Sequence, residues 1–241
     1  MPEDHIYRTP QHPVSPFVFD AAVARVFDNM IRRSIPFYEA LIHHQARLIQ
    51  RFYRPGMRLY DLGCSTGTLV LTLLSRMPDS DIQVVAVDTS RPMLDVFETR
   101  LGASPDPDRV TLQEADIRGI KMDRAFAVVV NFTLQFIPPE DRDALLRRIY
   151  KALLPGGILL LSEKTVHADA GFSDLQTEFY YRFKRENGYS ELEISQKREA
   201  LEKILIPETV SRHEDRMQQC GFSAVDAFLK WFNFCAWICR K

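Results

Sequence analysis

Five short apolar runs alternate with segments of helical spacing through the middle of the chain. They are RLYDLG, IQVVAVD, RVTLQEAD, FAVVVNF and GILLLSEK. Near-continuous valine, isoleucine and leucine in several of them is typical of strands that are covered on both faces, as in a parallel sheet. The alternation therefore predicts a doubly wound α/β fold with a largely parallel sheet.

Further elements are predicted on either side of these five strands. Helical spacing after Asp20, the predicted N-cap, indicates a helix that Pro36 ends, and a second predicted helix leads to the turn at Pro55. After the fifth run, residues 165–206 are rich in aromatic and charged side chains and predict a helical insertion. FSAVDAFLKW and FNFCAWICRK then predict two terminal strands, paired antiparallel, which brings the sheet to seven strands.

The charge balance and the cysteines exclude several classes of function. With 31 basic and 32 acidic residues the net charge is −1, so no overall field favours nucleic acid or an anionic membrane. The four cysteines have no C-x-x-C spacing, which predicts no metal site, and Cys235 and Cys239 are predicted to share a buried strand face. Without a long apolar segment or a signal-like start, we expect a single-domain cytoplasmic protein with reduced thiols.

The turn after the first strand, YDLGCSTGT, has the spacing of a ligand-binding loop. A dinucleotide fingerprint would need glycine where Ser65 and Thr68 stand, which disfavours NAD. The D-x-G-x-x-x-G spacing of Asp61, Gly63 and Gly67 instead resembles the first motif of Rossmann-like methyltransferases, which bind S-adenosyl-L-methionine. A glycine-lined turn admits a ligand closely and leaves free N–H groups that suit an amino-acid carboxylate.

Polar residues also end the next three strands, at the edge where such folds bind ligands. Asp88 can accept hydrogen bonds from ribose hydroxyls, or it can cap the following helix. Asp116 and Ile117 occupy the place where this enzyme class puts an acid and a backbone N–H against adenine. Asn131 can hold the amino-acid end of a ligand or simply form a turn.

The segment GYSELEISQKREALEKILIP places an arginine on an apolar helix face. Ser190 and Glu193 have capping-box spacing, and Pro207 marks the predicted end of the helix. Its apolar stripe consists of Ile194, Leu201 and Leu205. Arg198 lies in the middle of this stripe and needs a carboxylate partner, from the protein or from a ligand. From the helix alone we favour a carboxylate of the protein.

Four segments together resemble the carboxy-S-adenosyl-L-methionine synthase family, from about Phe19 to the C-terminus. They are FDAAVARVFDNMIRRSIPFY, YDLGCSTGT, VVVNFTLQF and GYSELEISQKREALE. The resemblance implies a class I methyltransferase fold that turns S-adenosyl-L-methionine and prephenate into carboxy-S-adenosyl-L-methionine and phenylpyruvate. The product would be the carboxymethyl donor for wobble-uridine modification of tRNA.

The resemblance also implies the site and the partners. Arg198 would hold the new carboxylate and reach into the neighbouring subunit's site of a homodimer. The residues implied to contact the cofactor are Tyr38, Gly63, Cys64, Ser65, Asp88, Thr89, Asp116, Ile117, Asn131 and Arg198. A downstream tRNA carboxymethyltransferase is a candidate partner, whereas the charge balance predicts no tight binding of tRNA itself.

We therefore expect one S-adenosyl-L-methionine-binding domain over residues 1–241, with an N-terminal helical cap at 17–54 and the insertion at 165–206 acting as a lid. Tyr38, Tyr180 and Tyr181 are expected to help close this lid. Two alternatives remain open. An ordinary methyltransferase would leave S-adenosylhomocysteine and a methylated small molecule or tRNA, and a non-catalytic nucleotide-binding module would bind its ligand without turnover.

Overall fold

A mixed sheet organises residues 2–241, which the computed structural model describes. Its strands are β1 (Arg58–Leu62), β2 (Gln83–Asp88), β3 (Val110–Glu114), β4 (Ala125–Asn131), β5 (Leu153–Val166), β6 (Glu208–Thr209), β7 (Ala224–Trp231) and β8 (Phe234–Arg240). The order is β3-β2-β1-β4-β5-β8-β7, with β6 paired to β5. Strands β1 to β5 pair in parallel, whereas β8 is antiparallel to both β5 and β7. The seven predicted strands and their directions are confirmed. The two-residue strand β6 is too short to leave a periodic pattern.

Eight α-helices surround this sheet in the described part of the chain. They are α1 (Ala21–Ser34), α2 (Tyr38–Phe52), α3 (Thr68–Arg76), α4 (Arg91–Gly102), α5 (Pro139–Ala152), α6 (Ala170–Glu186), α7 (Glu191–Leu201) and α8 (Val210–Gln219). Helix α1 begins as predicted, because the Asp20 carboxylate accepts a hydrogen bond of 2.9 Å from the backbone N–H of Val23. Helices α6 and α7 form the predicted helical insertion.

The two faces of the sheet carry separate hydrophobic cores. Helices α2, α3 and α4 pack on one face. Helices α5 and α8 pack on the other face, where buried side chains of β8 also point. Residues 125–130 of β4 are buried without exception, which explains why this run shows no polar alternation. Cys235 and Cys239 are both buried in the second core, so their predicted shared face is confirmed.

The N-terminal segment joins α1 and the insertion in a third apolar cluster. Phe17 packs with Met30 of α1, Met93 of α4 and Ala200 of α7. The backbone N–H of Phe17 also donates to the carbonyl of Ala200 over 3.0 Å. The start of the chain therefore fixes α7 against α1 and α4.

A buried carboxylate anchors the turn that follows β4. Glu163 of β5 accepts backbone N–H groups from Thr133 at 3.2 Å, Leu134 at 2.8 Å and Gln135 at 3.0 Å. Burial raises the pKa of Glu163 to about 8, although these three N–H groups favour the charged form. The turn is thereby held against the carboxyl end of β5.

The same turn fixes the end of the insertion. The carbonyl of Gln135 accepts the backbone N–H of Ile206 at 2.9 Å and a guanidinium N–H of Arg142 at 3.3 Å. Arg142 is fully buried, and it also donates to the carbonyl of Ile206 and to the Glu208 carboxylate. Since Gln135 accepts the backbone N–H of Lys164 through its side chain, the insertion and the edge of the sheet share one hydrogen-bond network.

Helix α7 begins as predicted and ends earlier. Both bonds of the capping box are present, Ser190 Oγ accepting from the Glu193 N–H and Glu193 Oε2 accepting from the Ser190 N–H. The helix ends at Leu201 rather than near Pro207, and residues 202–204 form a turn in which the Ile204 N–H donates to the carbonyl of Leu201 over 3.0 Å. The N–H of Leu205 still bonds to the carbonyl of Leu201 at 2.9 Å, so the apolar stripe continues beyond the helix.

Replacing Glu163 by alanine should lower the free energy of unfolding by at least about 2 kcal/mol, because three buried N–H groups lose their acceptor. Urea denaturation measures this difference. Glu178→Ala, at an exposed position of α6, is the matched control and should change stability by less than about 0.5 kcal/mol. Equal stability of the two variants would contradict an anchoring role for Glu163.

Candidate functional site

A cavity of about 530 Å³ lies at the carboxyl ends of the parallel strands. Between β1 and β4 the strand order reverses, which is where open α/β sheets bind ligands. Side chains of α1, α2, α6 and α7 complete the cavity on the side away from the sheet. All ten residues implied by the family resemblance line it, namely Tyr38, Gly63, Cys64, Ser65, Asp88, Thr89, Asp116, Ile117, Asn131 and Arg198.

The first turn has the backbone of a glycine-rich loop. Gly63 has φ +84° and Gly67 has φ +78°, both in the left-handed region. A Cβ on Gly63 would lie 2.1 Å from Thr133 Oγ1, and one on Gly67 would lie 2.2 Å from the ring of Phe97. Ser65 also takes a positive φ of 51°, although it is not glycine. The serine therefore keeps the loop geometry with some backbone strain.

Asp88 ties this turn to the end of β2. One carboxylate oxygen accepts the Ser65 N–H and the other accepts the Ser90 N–H, each over 2.9 Å. Burial raises the pKa of Asp88, and the backbone N–H groups oppose that rise. The N-cap of α4 is Ser90, whose hydroxyl accepts from the Met93 N–H. Ser90 therefore caps α4, and Asp88 is not the capping residue that the alternative interpretation proposed.

Asn131 is held by a residue that sequence reasoning missed. Its amide exchanges two hydrogen bonds of 2.8 Å with the amide of Gln45, which also donates to Ser162 Oγ at 3.0 Å. Gln45 is fully buried on α2, among the apolar residues that face the sheet. A glutamine on the apolar face of a predicted helix was the sequence feature that could have indicated a buried polar contact here. The pairing fixes which way the Asn131 amide points.

At the end of β3, Asp116 is exposed and paired. Arg118 donates to it at 2.6 Å and bridges to Asp141, also at 2.6 Å. Hydrogen bonding to Arg118 holds the pKa of Asp116 below its usual range. Ile117 beside it is buried. This rim of the cavity therefore presents an ionised carboxylate next to an apolar side chain.

Asp61 is a buried carboxylate that faces the cavity. It is 3% exposed, and its side chain makes no hydrogen bond or ion pair with residues 2–241. Burial, reinforced by the nearby charge of Asp88, raises the pKa of Asp61 to about 7. A carboxylate in this setting favours a cationic ligand group beside it.

Arg198 does not have the protein partner that we expected from the helix alone. It is exposed on α7 and lines the cavity of its own chain, and it forms no ion pair or hydrogen bond with the part of the chain described, residues 2–241. The prediction was wrong because the stripe of Ile194, Leu201 and Leu205 borders the cavity, and Arg198 faces that space without reaching a carboxylate of the described chain. The guanidinium is therefore available to an anion in the cavity.

Three lysines in the cavity lining were also missed. Lys164 follows Glu163 on β5, Lys184 lies on α6 and Lys197 on α7. Their burial could not be predicted from the residue pattern, since lysines in helices and at strand ends are normally solvated. Their burial brings positive charge to the part of the cavity that the insertion covers.

Aromatic side chains of the insertion border the same space. Tyr180 is half-buried, and its partial burial raises the pKa of its hydroxyl. Its ring centroid lies 5.2 Å from that of Phe234 on β8 and 6.0 Å from that of Tyr181. The tyrosines predicted to help close the site therefore lie in its lining.

Residues 2–241 contain neither a metal-binding cluster nor a membrane-spanning helix. No group of three or more histidine, cysteine, aspartate or glutamate side chains is arranged to hold a metal ion. Within the same residues, every helix is too short or too polar to cross a membrane.

Known proteins resemble both the sequence and the fold. Residues 59–157 match a family described as a methyltransferase domain. A carboxy-S-adenosyl-L-methionine synthase from Desulforapulum autotrophicum is 44% identical over 241 residues, which is 100% of this chain and 98% of that protein. A protein of the same name from Shewanella oneidensis is 44% identical over 239 residues, which is 99% of this chain and 98% of that protein.

Solved structures share the fold at lower identity. An O-methyltransferase family protein from Burkholderia thailandensis has a TM-score of 0.67 at 18% identity, with 92% of this chain and 60% of that chain covered. Phosphoethanolamine N-methyltransferase 2 from Haemonchus contortus, in complex with S-adenosyl-L-methionine, has a TM-score of 0.52 at 23% identity. The match covers 77% of this chain and 38% of that one. These likenesses establish a Rossmann-like methyltransferase fold.

The affinity for S-adenosyl-L-methionine should rise with pH through about 7, because Asp61 must ionise before it can stabilise a cationic ligand. Below this pH, binding should release a proton, which calorimetry in buffers of different ionisation enthalpy detects.

Asp61→Asn should lose most of this pH dependence, whereas Asp174→Asn, at an exposed position of α6, should keep it. The stability of the ligand-free protein should change with pH in the opposite direction. Because the pKa of Asp61 is raised in the folded state, the free energy of unfolding should fall as the pH rises toward and through about 7. An Asp61→Asn variant with an unchanged pH profile for binding would contradict this role.

Proposed function

Because the chain belongs to the carboxy-S-adenosyl-L-methionine synthase family, we propose that it converts S-adenosyl-L-methionine into carboxy-S-adenosyl-L-methionine, with prephenate as the source of the carboxyl group. Phenylpyruvate is the by-product. The observation that carries this proposal is an arginine, Arg198, that has no counter-ion among residues 2–241 and lines the same cavity as the residues proposed to hold the cofactor. An ordinary methyl transfer has no use for such a cation, since its cofactor carries no carboxylate at the reacting carbon.

The cofactor is proposed to lie across the ends of β1 to β4. Asp88 would accept the ribose hydroxyls, and Asp116 with Ile117 would contact adenine. The buried carboxylate of Asp61 would face the cationic part of the ligand. Asn131, whose amide is oriented by Gln45, would bind the amino-acid end.

The reaction balances without a base from the protein. Prephenate loses its ring carboxylate as carbon dioxide and its ring hydroxyl as hydroxide, and so becomes aromatic. The hydroxide takes a proton from the sulfonium methyl group and leaves as water. The resulting ylide attacks carbon dioxide, and the new carbon–carbon bond makes the carboxymethyl group. Such an ylide must be kept from water, which the insertion and the N-terminal helices would do as a lid.

In this account Arg198 stabilises the carboxylate that forms on the cofactor. A guanidinium presents two parallel N–H donors to a carboxylate, an interaction that a lysine cannot reproduce. S-adenosyl-L-methionine carries a methyl group where the product carries the carboxymethyl group, and so offers Arg198 no carboxylate in that place. Arg198 thus favours the product-like state over the bound substrate, which is the requirement for a contact that assists the chemistry.

A homodimer is part of the proposal. Large apolar side chains are exposed near the cavity-forming elements, including Phe37 before α2 at 59% and Phe172 on α6 at 58%. Light scattering should give twice the mass of the 27.9 kDa chain. A monomeric mass at micromolar concentration would contradict this part of the proposal.

The product is proposed to serve a separate tRNA carboxymethyltransferase. The near-neutral charge of this chain, with 31 basic against 32 acidic residues, argues against tight binding of tRNA by the synthase itself. Titration of labelled tRNA should therefore give no submicromolar binding at moderate salt.

Incubating the purified protein with S-adenosyl-L-methionine, with and without prephenate, tests the reaction directly. Mass spectrometry should find the carboxylated cofactor only when prephenate is present. S-adenosylhomocysteine with a methylated acceptor, and no carboxylated product, would instead support the ordinary methyltransferase.

Arg198→Ala should weaken binding of carboxy-S-adenosyl-L-methionine about tenfold or more, while S-adenosyl-L-methionine loses little affinity. The reason is that a charge-assisted hydrogen bond, worth about 1.5–3 kcal/mol, is removed only from the former. Arg198→Lys should recover part of the loss. Calorimetry with both ligands measures the difference.

Arg182→Ala is the matched control, since this exposed arginine lies on α6 outside the cavity lining. It should leave both affinities unchanged. Equal weakening of the two ligands by Arg198→Ala would show that the guanidinium does not contact the new carboxylate.

A further inference from the structure

Two lysines in the cavity lining have no negative partner in the described chain. Lys184 is 4% exposed, and its ammonium lies over the ring faces of Tyr180 at 5.5 Å and Tyr189 at 5.2 Å. Lys164 is half-buried, with its ammonium 4.8 Å from the ring centroid of Tyr180. Neither ammonium donates a hydrogen bond to any of residues 2–241 or lies within 4.0 Å of a carboxylate there.

The nearby acidic groups are already engaged. Asp4 lies 3.9 Å from the ammonium of Lys197 and accepts the Tyr189 hydroxyl at 2.6 Å. Glu193 closes the capping box of α7 with Ser190. The third lysine thus has a counter-ion, and the other two do not.

This arrangement is unfavourable for the protein alone. Buried ammonium groups are normally paired, and tyrosine faces compensate only in part for lost hydration. Burial lowers the pKa of Lys164 to about 8, and burial with repulsion from Lys197 and Lys164 lowers the pKa of Lys184 well below its usual value. An anion between the two lysines would offset both costs.

We propose that Lys164 and Lys184 form an anion subsite within the cavity, which binds the carboxylate that the second substrate keeps throughout the reaction. This inference rests on the proposed function, in which that substrate is prephenate and the retained group is its 2-oxo carboxylate. Its role differs from that of Arg198, which in the proposed function serves the carboxylate formed on the cofactor.

The chemistry favours the retained carboxylate over the departing one. An ion pair stabilises a carboxylate relative to neutral carbon dioxide, so lysines that held the departing group would slow its loss. The aromatic pair of Tyr180 and Phe234, 5.2 Å apart between ring centroids, gives the substrate ring an apolar surface beside Lys164. Two lysines at the retained end would therefore position prephenate without opposing decarboxylation.

Phenylpyruvate is the probe that separates the two carboxylates, because it keeps the 2-oxo carboxylate and lacks the ring carboxylate. In Lys184→Met and in Lys164→Met, the dissociation constant of phenylpyruvate and the KM for prephenate should both rise at least about tenfold. The affinity for S-adenosyl-L-methionine should stay within about twofold, which also reports a folded protein.

Lys203→Met is the matched control, since Lys203 is exposed just after α7 and lies outside the cavity lining. It should leave all three quantities unchanged. Thermal denaturation gives a second readout: phenylpyruvate should stabilise the wild-type protein and the control, but neither cavity variant.

Unchanged phenylpyruvate binding in both cavity variants would overturn the subsite. A rise in the KM for prephenate with unchanged phenylpyruvate binding would assign the lysines to the departing carboxylate and would also overturn it. Failure of the proposed function looks different, because the wild-type protein would then make no carboxylated cofactor from prephenate.

Discussion

Glu163 accepts three backbone hydrogen bonds from the turn after β4, and the elements that form the cavity are connected through that turn. Gln135 in the turn bonds to the end of the insertion at Ile206 and to Arg142. The next residue on β5, Lys164, lines the cavity. One buried carboxylate therefore sets the position of the turn, of the insertion and of a cationic side chain, and the proposed chemistry depends on that arrangement.

The cavity itself is defined by charges that the protein leaves without partners. Asp61 presents an unpaired carboxylate on the sheet side, whereas Arg198, Lys164 and Lys184 present cations from α7, β5 and α6. In the proposed function, Asp61 would face the cationic sulfonium of the cofactor, and the cations would face an anionic second substrate. Because charges without a partner favour ligand groups of opposite sign, a cavity with this lining suits both of the proposed substrates.

Much of the fold was predictable from the sequence, since near-continuous apolar runs mark buried parallel strands and caps such as Asp20 act locally. The residues of the glycine turn and of the later strand ends were predicted to lie together because strand ends converge at one edge of a parallel sheet. Tyr38, Thr89 and the ligand role of Arg198 were implied only by the family resemblance, and all ten residues line the cavity. Gln45 and Lys184 were missed, because burial of a polar helix residue depends on what packs against it. The Arg198 stripe was misread for the same reason: its periodicity does not tell a cavity from a core.

The source of the new carboxyl group is the central claim, and an isotope label tests it most directly. Prephenate that carries carbon-13 in its ring carboxylate should give carboxy-S-adenosyl-L-methionine that is heavier by one mass unit, even in excess unlabelled bicarbonate. Retention of the label is expected because, in the proposed reaction, the ylide captures the carbon dioxide before it can exchange with the solvent. Unlabelled carboxylated cofactor, or S-adenosylhomocysteine in its place, would contradict the account.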